Sequence, residues 1–493
     1  MKTRFLPNQI QQWTGGKLIR SNNSANNTEI FYSGISTDTR SLVPGEVFLA
    51  LRGENFDGHD FIEQAIKRGA GMLILEANSV QAQEMQDRIH EPGTPELLLV
   101  SDTLEAYMKI AAGHRQTLET TIIGVTGSVG KTTTRRMVHQ ILNSQLRAEQ
   151  SDANLNNHIG LSYTILSTNA EAQVLVAEIA VDRIGEMAEL SALARPDIAI
   201  ITGIGYSHAL YFGSREAILK EKMDLLHDMK DNSLVLLNGN DAGLRSWAAA
   251  HKEDTRFAIW FVSNLKYKDE ILAEGFPVFW YKDMSLTADS TDFKVKCSFA
   301  PEEVWQIHLP FAASHLTEAT MFGLACAYIQ GLDMDLASQA ASGFVNTGSR
   351  QQLNALEQNI LLLDDSYNSS PEAMTSGLTT LAHISESAQR IGVFGDMREL
   401  GKYAHELHLK IADLIIDIGF REIYLIGDEM QRVAEYLHTK APTIKTRWFE
   451  DRDTMGQELL EAIRPGDAIM VKGSHYFELD RIANVIKLRF GGK

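Results

Sequence analysis

The sequence predicts an α/β protein of three domains: a small N-terminal α/β domain over residues 1–118, a central parallel sheet with helices over 119–347, and a C-terminal Rossmann-like domain over 348–493. Three observations lead there. The chain has 493 residues, too many for one hydrophobic core when a domain takes roughly 150 residues. Thr121 to Met137 reads TIIGVTGSVGKTTTRRM, an apolar run that breaks into a glycine loop and then into helix-compatible residues. Beyond residue 348, apolar runs end in Gly or Asp at intervals of roughly 30 residues, as alternating strands and helices of a parallel sheet require.

In the first domain, the apolar runs Val47 to Leu51, Met72 to Leu75 and Leu97 to Val100 predict strands, and His59 to Arg68 predicts a helix. Between them, Ser36-Thr37-Asp38-Thr39-Arg40 and the following Val43-Pro44-Gly45-Glu46 form a polar segment with a turn. By composition alone it reads as a solvated loop. Ser21 to Asn27 is a short polar patch, predicted to be a loop.

The middle domain opens on the glycine loop and has the character of a P-loop ATPase. Strand, loop and helix start in that order suit phosphate: glycines let backbone N–H groups approach its oxygens, and the helix N-terminus adds partial positive charge. Gly127, Ser128, Val129, Gly130, Lys131, Thr132 and Thr133 form the candidate ATP loop, with Lys131 meeting the outer phosphates and the Thr132 hydroxyl ligating Mg²⁺. The spacing departs from G-x-x-x-x-G-K-[ST], because Val125 stands where the first glycine belongs. Gln173 to Ala177 then runs into Glu178, and Asp197 to Thr202 runs through Gly203 and Gly205 to His208. Ligands of open parallel sheets bind at the carboxyl ends of strands, so Thr132, Glu178 and His208 are expected to converge on one crevice. Singly, Glu178 reads as a solvated strand-end carboxylate and His208 as a hydrogen-bonded loop histidine. Thr132 and Glu178 suit Mg²⁺, which prefers oxygen; His208 is a less usual ligand for it. Ser214 caps a predicted helix from Ala217 to Met229, and its Lys220-Glu221-Lys222 run reads, from charge pattern alone, as a solvated face. Residues 255–310 read as strand-like pieces whose aromatics pack a β-layer.

In the third domain the predicted strands are Ile360 to Leu363, Ile391 to Phe394, Ile423 to Ile426 and Ala468 to Val471. They end in Asp364-Asp365-Ser366-Tyr367-Asn368, Gly395-Asp396, Gly427-Asp428 and Lys472-Gly473-Ser474. No G-x-G-x-x-G follows any of them, so the unit does not read as a dinucleotide site.

Composition excludes several function classes. Hydrophobic residues at 44% and charged residues at 22% are ordinary for a globular protein. With 46 Lys plus Arg against 64 Asp plus Glu, the net charge is −18, which disfavours nucleic acid and anionic membranes as partners. Cys297 and Cys326 are the only cysteines, too few for a disulfide framework or a cysteine metal cage. The first residues lack the roughly 7–15 apolar residues of a signal segment, and no run of about 18 apolar residues follows, so a cytoplasmic protein without membrane insertion is expected.

Taken together, the segments resemble the Mur ligase family, most closely its MurF type, which joins D-alanyl-D-alanine to UDP-N-acetylmuramoyl-tripeptide. STDTRSLVPGEVFLALRGENFDGHDFI is similar to that type's uridine-diphosphate segment, which implies that Ser36, Asp38 and Arg40 hold the nucleotide end of the UDP-linked muramoyl peptide. NLNNHIGL resembles its substrate loop and implicates Asn154, Asn156 and Asn157. RPDIAIITGIGYSHALYFGSREAILKEKMDLL resembles the stretch that carries a metal histidine and a lysine carbamylated by CO₂; His208 and Lys222 match these, and Glu178 matches the metal glutamate. DDSYNSSPEAM and GDMRELG resemble segments that close over ATP, implicating Asp365, Asn368 and Asp396, and Arg350 matches an arginine after the hinge. The resemblance implies an ATP- and Mg²⁺-dependent amide ligase working through an acyl phosphate. Lys131, His208 and Lys222 would be its catalytic groups; Thr132, Glu178, His208 and carbamylated Lys222 would serve the metal; and the chain would act as a monomer.

Four places depart from the MurF pattern: Ile-Ala-Val-Asp-Arg follows Glu178, His158 replaces a glutamate, the segment from His315 to Ala319 lacks an adenine-contacting asparagine, and His475 stands where arginine is usual. They touch substrate and base recognition rather than phosphate or metal groups. Two alternatives follow: a paralogue ligating another carboxylate and amine, or a catalytically silent ATP-binding scaffold. The scaffold has no use for Lys131, Thr132, Glu178, His208 and Lys222 together.

Overall fold

A computed structural model describes residues 4–21, 31–53, 55–152, 154–254, 256–345, 348–385 and 388–491. Three sheets account for the chain, all mixed and mostly parallel. The first has five strands in the order Lys17–Ile19, Glu96–Val100, Met72–Glu76, Val47–Leu49, Ile35–Ser36, with only the Lys17–Ile19 edge antiparallel. Most of the polar patch from Ser21 to Asn27 lies outside the described residues.

The second sheet is the structural centre. From one edge its order is Trp305–Leu309, Thr291–Cys297, Val278–Leu286, Phe257–Asn264, Ser233–Asn238, Ile198–Ile201, Thr121–Thr126, Val174–Glu178 and Ala148–Gln150. The strands from Val278–Leu286 to Ala148–Gln150 are parallel, and Thr291–Cys297 and Trp305–Leu309 turn back as antiparallel hairpins at the other edge. Thr121–Thr126 sits between Ile198–Ile201 and Val174–Glu178, so the three strands predicted to carry ligands are immediate neighbours. The packed β-layer expected over 255–310 is present, interrupted by a helix Leu265–Ala273 capped by Asn264, whose side chain accepts from the Lys266 N–H. That helix is hidden in the sequence because only Ile271 of it is buried.

The third sheet runs Gln352–Leu356, Ile360–Asp364, Asp467–Lys472, Gln389–Gly395, Glu422–Ile426, Lys445–Phe449, parallel except for the Gln352–Leu356 edge. Helices cover both faces, as an all-buried parallel sheet needs; Met374, Leu378 and Ile411 fill one side, and Met455, Leu459 and Ile482 the other.

The first and central units share one apolar core. Tyr107 and Ile110 of the helix Thr103–Arg115 pack in the same cluster as Leu161 and Leu190. Arg115, with 2% of its side chain exposed, reinforces the join: its Nε donates to the Ala194 carbonyl at 2.9 Å and its Nη2 to Asp197 at 2.7 Å. Burial pulls the guanidinium pKa down and Asp197 opposes it, so the carboxylate keeps the charge tolerable inside. No helix among the described residues is long and apolar enough to cross a membrane.

Candidate active site

The glycine loop is shaped by two residues with no side chain. Gly127 has φ +140, and a Cβ there would stand 2.1 Å from Thr202 Oγ1; Gly130, at φ +86, precedes the helix Lys131–Leu142. Thr202 stitches the loop to the neighbouring strand, donating to the Val129 carbonyl at 2.6 Å. The first N–H groups of the helix therefore face the loop without intrahelical acceptors. Lys131 Nζ lies over the same loop, donating to the Gly127 carbonyl at 2.9 Å, and desolvation lowers its pKa despite Glu178 and Asp182 nearby. Gly127→Ala is expected to cost about 1–3 kcal/mol of stability and to weaken ATP binding at least tenfold, checked by thermal unfolding and a nucleotide titration.

A single cavity of about 1180 Å³ runs from this loop to the third sheet. Its wall includes Ser128, Val129, Gly130, Lys131, Thr132 and Thr133, then Asn154, Asn156, Asn157, Glu178 and His208, then Arg350, Asp365 and Asn368. Residues predicted from separate strand ends thus share one enclosure. Glu178 is 5% exposed, which overturns its reading as a solvated carboxylate: it closes a strand inside the crevice. Its backbone N–H donates to Ser151 Oγ at 3.0 Å and its Oε1 accepts from Asn156 at 3.1 Å. Asn157 caps the helix His158–Ser167 through the Gly160 N–H. Asn154 accepts from the Tyr367 hydroxyl at 3.3 Å, a contact between the central and third units.

Lys222 departs most from the charge-pattern reading. The helix Arg215–Met223 starts as expected at Ser214, whose side chain accepts from the Ala217 N–H, but it stops at Met223 and buries its last turn. Lys220 is exposed, whereas Glu221 and Lys222 are each 2% exposed. Glu221 accepts from the Gly185 and Met187 N–H groups at the start of the helix Glu186–Ala194, which explains its burial. Lys222 is not among the residues that line the cavity; its Nζ lies 5.8 Å from the Phe212 ring centre. Burial, helped by the positive charge of Lys131, brings its pKa down to about 7.

Several predicted residues are not brought to the cavity. Ser36, Asp38 and Arg40 sit on the first unit, with Arg40 86% exposed and paired to Asp38 at 2.7 Å. Asp396 caps the helix Asp428–Lys440, accepting from the Met430 N–H at 2.8 Å and the Glu429 N–H at 3.3 Å. A strand-end aspartate serves a helix or a ligand equally well by sequence, and here the unsatisfied N–H groups of the next helix take it.

Other residues at the site were not foreseen. Arg135, 4% exposed, places its Nε 3.6 Å from Glu178 Oε2. Its position four after Lys131 on one helix is a signal that was available. Lys472 is 1% exposed and reaches Asp365 at 2.7 Å and the Asn368 carbonyl at 2.9 Å, tying together two predicted ATP residues. Asn240 donates to Glu318 at 2.8 Å on the cavity wall, and neither ring nitrogen of His315 has a hydrogen-bond partner there. Among the described residues no three His, Cys, Asp or Glu side chains converge closely enough to cage an ion.

The third unit is seated against the central one around this rim. The Tyr206 N–H donates to Glu372 Oε1 at 3.1 Å, the Leu210 N–H to the Glu399 carbonyl at 2.8 Å, and the Tyr206 and Tyr403 rings lie 5.2 Å apart.

Known proteins match this chain over nearly its whole length. Models of the Mur ligase family match in three parts: the catalytic domain over residues 31–115, the middle domain over 125–327 and the glutamate ligase domain over 349–475. The UDP-N-acetylmuramoyl-tripeptide–D-alanyl-D-alanine ligase of Synechocystis is 31% identical over 456 residues, covering 92% of both chains. The Bacillus subtilis protein of the same name is 29% identical over 452 residues, covering 91% of this chain and 92% of its own. Among solved structures, a MurF of Acinetobacter baumannii superposes with a TM-score of 0.81 at 23% identity, covering 98% of this chain and 99% of that one. The MurF ligase of Thermotoga maritima, in complex with ADP, gives 0.76 at 23% identity, covering 92% and 97%.

Proposed function

This chain belongs to the Mur ligase family, and we propose that it joins D-alanyl-D-alanine to UDP-N-acetylmuramoyl-tripeptide with hydrolysis of ATP to ADP and phosphate. The observation that carries this reading is the single cavity in which a phosphate loop, a buried glutamate and the wall of a third α/β unit meet. We further propose the three domains as 1–118, 119–347 and 348–493, the second boundary falling beside residues outside the described set.

The chemistry assigns each part a task. A carboxylate is a poor electrophile; phosphorylation makes it an acyl phosphate, the amine attacks the carbonyl carbon, and phosphate leaves with its bond electrons. Lys131 neutralises charge on the transferring phosphoryl group, where electrostatic stabilisation is usually the largest contribution. Arg350, whose guanidinium lies 4.3 Å from the Tyr367 ring, and the linked Asp365, Asn368 and Lys472 place the third unit's wall against the nucleotide. Docking of that unit excludes water, which would otherwise hydrolyse the acyl phosphate. Thr132, Glu178, His208 and Lys222 would hold Mg²⁺, which when bound supplies positive charge to the phosphate oxygens. The donor set fits: Glu178 and Thr132 offer oxygens at the rim, and the His208 imidazole lines the same cavity.

Lys222 fits the carbamate role for a chemical reason. CO₂ adds only to a neutral amine, and a pKa of about 7 leaves much of the amine neutral near pH 7. The carbamate that forms is anionic, which suits a metal rim and relieves the repulsion from Lys131. Lowering the pH through 7 protonates the amine and withdraws it from CO₂. In CO₂-depleted buffer, added bicarbonate is therefore expected to stimulate turnover severalfold at pH 8, where the amine is neutral, and little at pH 6, read by phosphate release; equal stimulation at both pH values counts against the assignment.

The substrate assignment is tested by phosphate release from ATP over a panel of UDP-muramoyl peptides and amines. Stimulation by the tripeptide together with D-alanyl-D-alanine is the expected result. A second reading, ligation of another carboxylate and amine, is favoured by His158, which pairs with Glu189 at 2.8 Å where the family's glutamate belongs, and by the Glu318–Asn240 wall. Silence across the panel favours this second reading or the catalytically silent ATP-binding scaffold.

A further inference from the structure

The third unit delivers one carboxylate to His208, and the contact is built from both sides. Glu399 Oε2 lies 2.7 Å from His208 Nδ1, although not aligned as a hydrogen bond. Glu399 has φ +64 and His208 φ +63, so two non-glycine residues hold left-handed backbone at the point of contact. The Leu210 N–H donates to the Glu399 carbonyl at 2.8 Å. Gly401 fits so closely that a Cβ on it would lie 3.1 Å from Leu210 Cα. Strain of this kind persists where surroundings over-determine it, and it gathers at clamps and switch segments. The other charged groups facing His208 are Asp182, 3.6 Å away on a side chain 73% exposed, and the ammonium groups of Lys131 and Lys222.

We propose that Glu399 is a positioning residue that couples docking of the third domain to the seating of His208, so that the rim binds its divalent cation tightly in the docked state. This rests on the reading of His208 as a metal group. The physical case is that an imidazole ligand needs a fixed ring orientation, which an outer carboxylate commonly supplies, at a cost of roughly 10–100-fold in metal affinity when removed. Glu399 is placed to supply it only when its loop lies on the segment from Tyr206 to Leu210, because that loop leaves the strand Gln389–Gly395 of the third sheet. Closure would then assemble the metal site and the chemistry together, which limits wasteful phosphoryl transfer in the undocked protein.

The test is Mn²⁺ binding to the full chain with the non-hydrolysable analogue AMP-PNP, read by electron paramagnetic resonance, in wild type, Glu399→Gln, Glu399→Gly, His208→Gly and the Glu399→Gly/His208→Gly double variant. Glycine suits the left-handed backbone at both positions, so these variants keep the loop. The expected result is Mn²⁺ affinity roughly tenfold weaker in both Glu399 variants, with unchanged thermal midpoints and no further loss on adding Glu399→Gly to His208→Gly. Wild-type affinity in the Glu399 variants with a loss in His208→Gly overturns the coupling and leaves the His208 reading standing. Wild-type affinity in His208→Gly overturns both. Independent, additive losses overturn the coupling, because Glu399 then acts elsewhere.

Discussion

Lys222→Ala is expected to lower ligase turnover roughly 10²–10³-fold while leaving ATP affinity close to wild type, and added CO₂ should not restore it. The loss is of the size seen when one electrostatic stabiliser of a developing charge is removed. ATP binding is expected to survive because Lys222 is not among the residues that line the cavity, while the proposed ATP loop opens a different helix. Stability separates this effect from misfolding. A lysine whose pKa falls on folding from 10.5 to about 7 binds fewer protons folded than unfolded between those values. Folding free energy therefore gains as pH rises through that window, and below about 7 the buried ammonium is a full liability. A neutral Lys222→Met should accordingly unfold at or above the wild-type temperature in CO₂-depleted buffer at pH 6 and be as inactive as the alanine. Full turnover by either variant under saturating substrates would remove the carbamate from the mechanism.

Lys222 also shows where sequence reasoning reaches its limit. The Lys220-Glu221-Lys222 run looks solvated because local charge pattern carries no information about what packs on the helix. Two of its three residues are buried by the helix Glu186–Ala194, whose free N–H groups bind Glu221, and by Phe212. The strands were legible because fully buried parallel strands read as continuous Val, Ile and Leu runs: Ile122 to Val125, Ile391 to Phe394 and Ala468 to Val471 lie within strands two or three residues longer. The loop was legible because Gly127 and Gly130 stand where backbone must turn to positive φ. Edge strands such as Ile35–Ser36 and Ala148–Gln150 were missed, being two and three residues long with little apolar content. Glu399 had no local signal, since its contact with His208 spans almost two hundred positions of chain, and the helix Asp428–Lys440 that Asp396 caps follows a different strand.

Glu178→Ala is expected to be the most damaging single change to the fold of the site. It removes the partner of Arg135, leaving a guanidinium that is 4% exposed with no carboxylate at 3.6 Å. Breaking a buried pair from one side costs about 3–5 kcal/mol, because the desolvation of the remaining charge is no longer offset. Asn156 loses its acceptor at the same time. Burial already lowers the Arg135 pKa and Glu178 is the first influence opposing it, so removing the carboxylate removes the main support of that charge. Glu178→Gln keeps the shape and an oxygen for Asn156 but not the charge, so it should cost less stability while reducing turnover roughly 10²-fold. Glu178→Ala combined with Arg135→Met replaces the pair by apolar atoms and should recover most of the lost stability. Activity should not recover with it. Denaturant unfolding and phosphate release on the three variants check this: if the double variant is no more stable than Glu178→Ala alone, the two residues are not a coupled pair, and it is the Asn156 amide that holds the carboxylate at the rim.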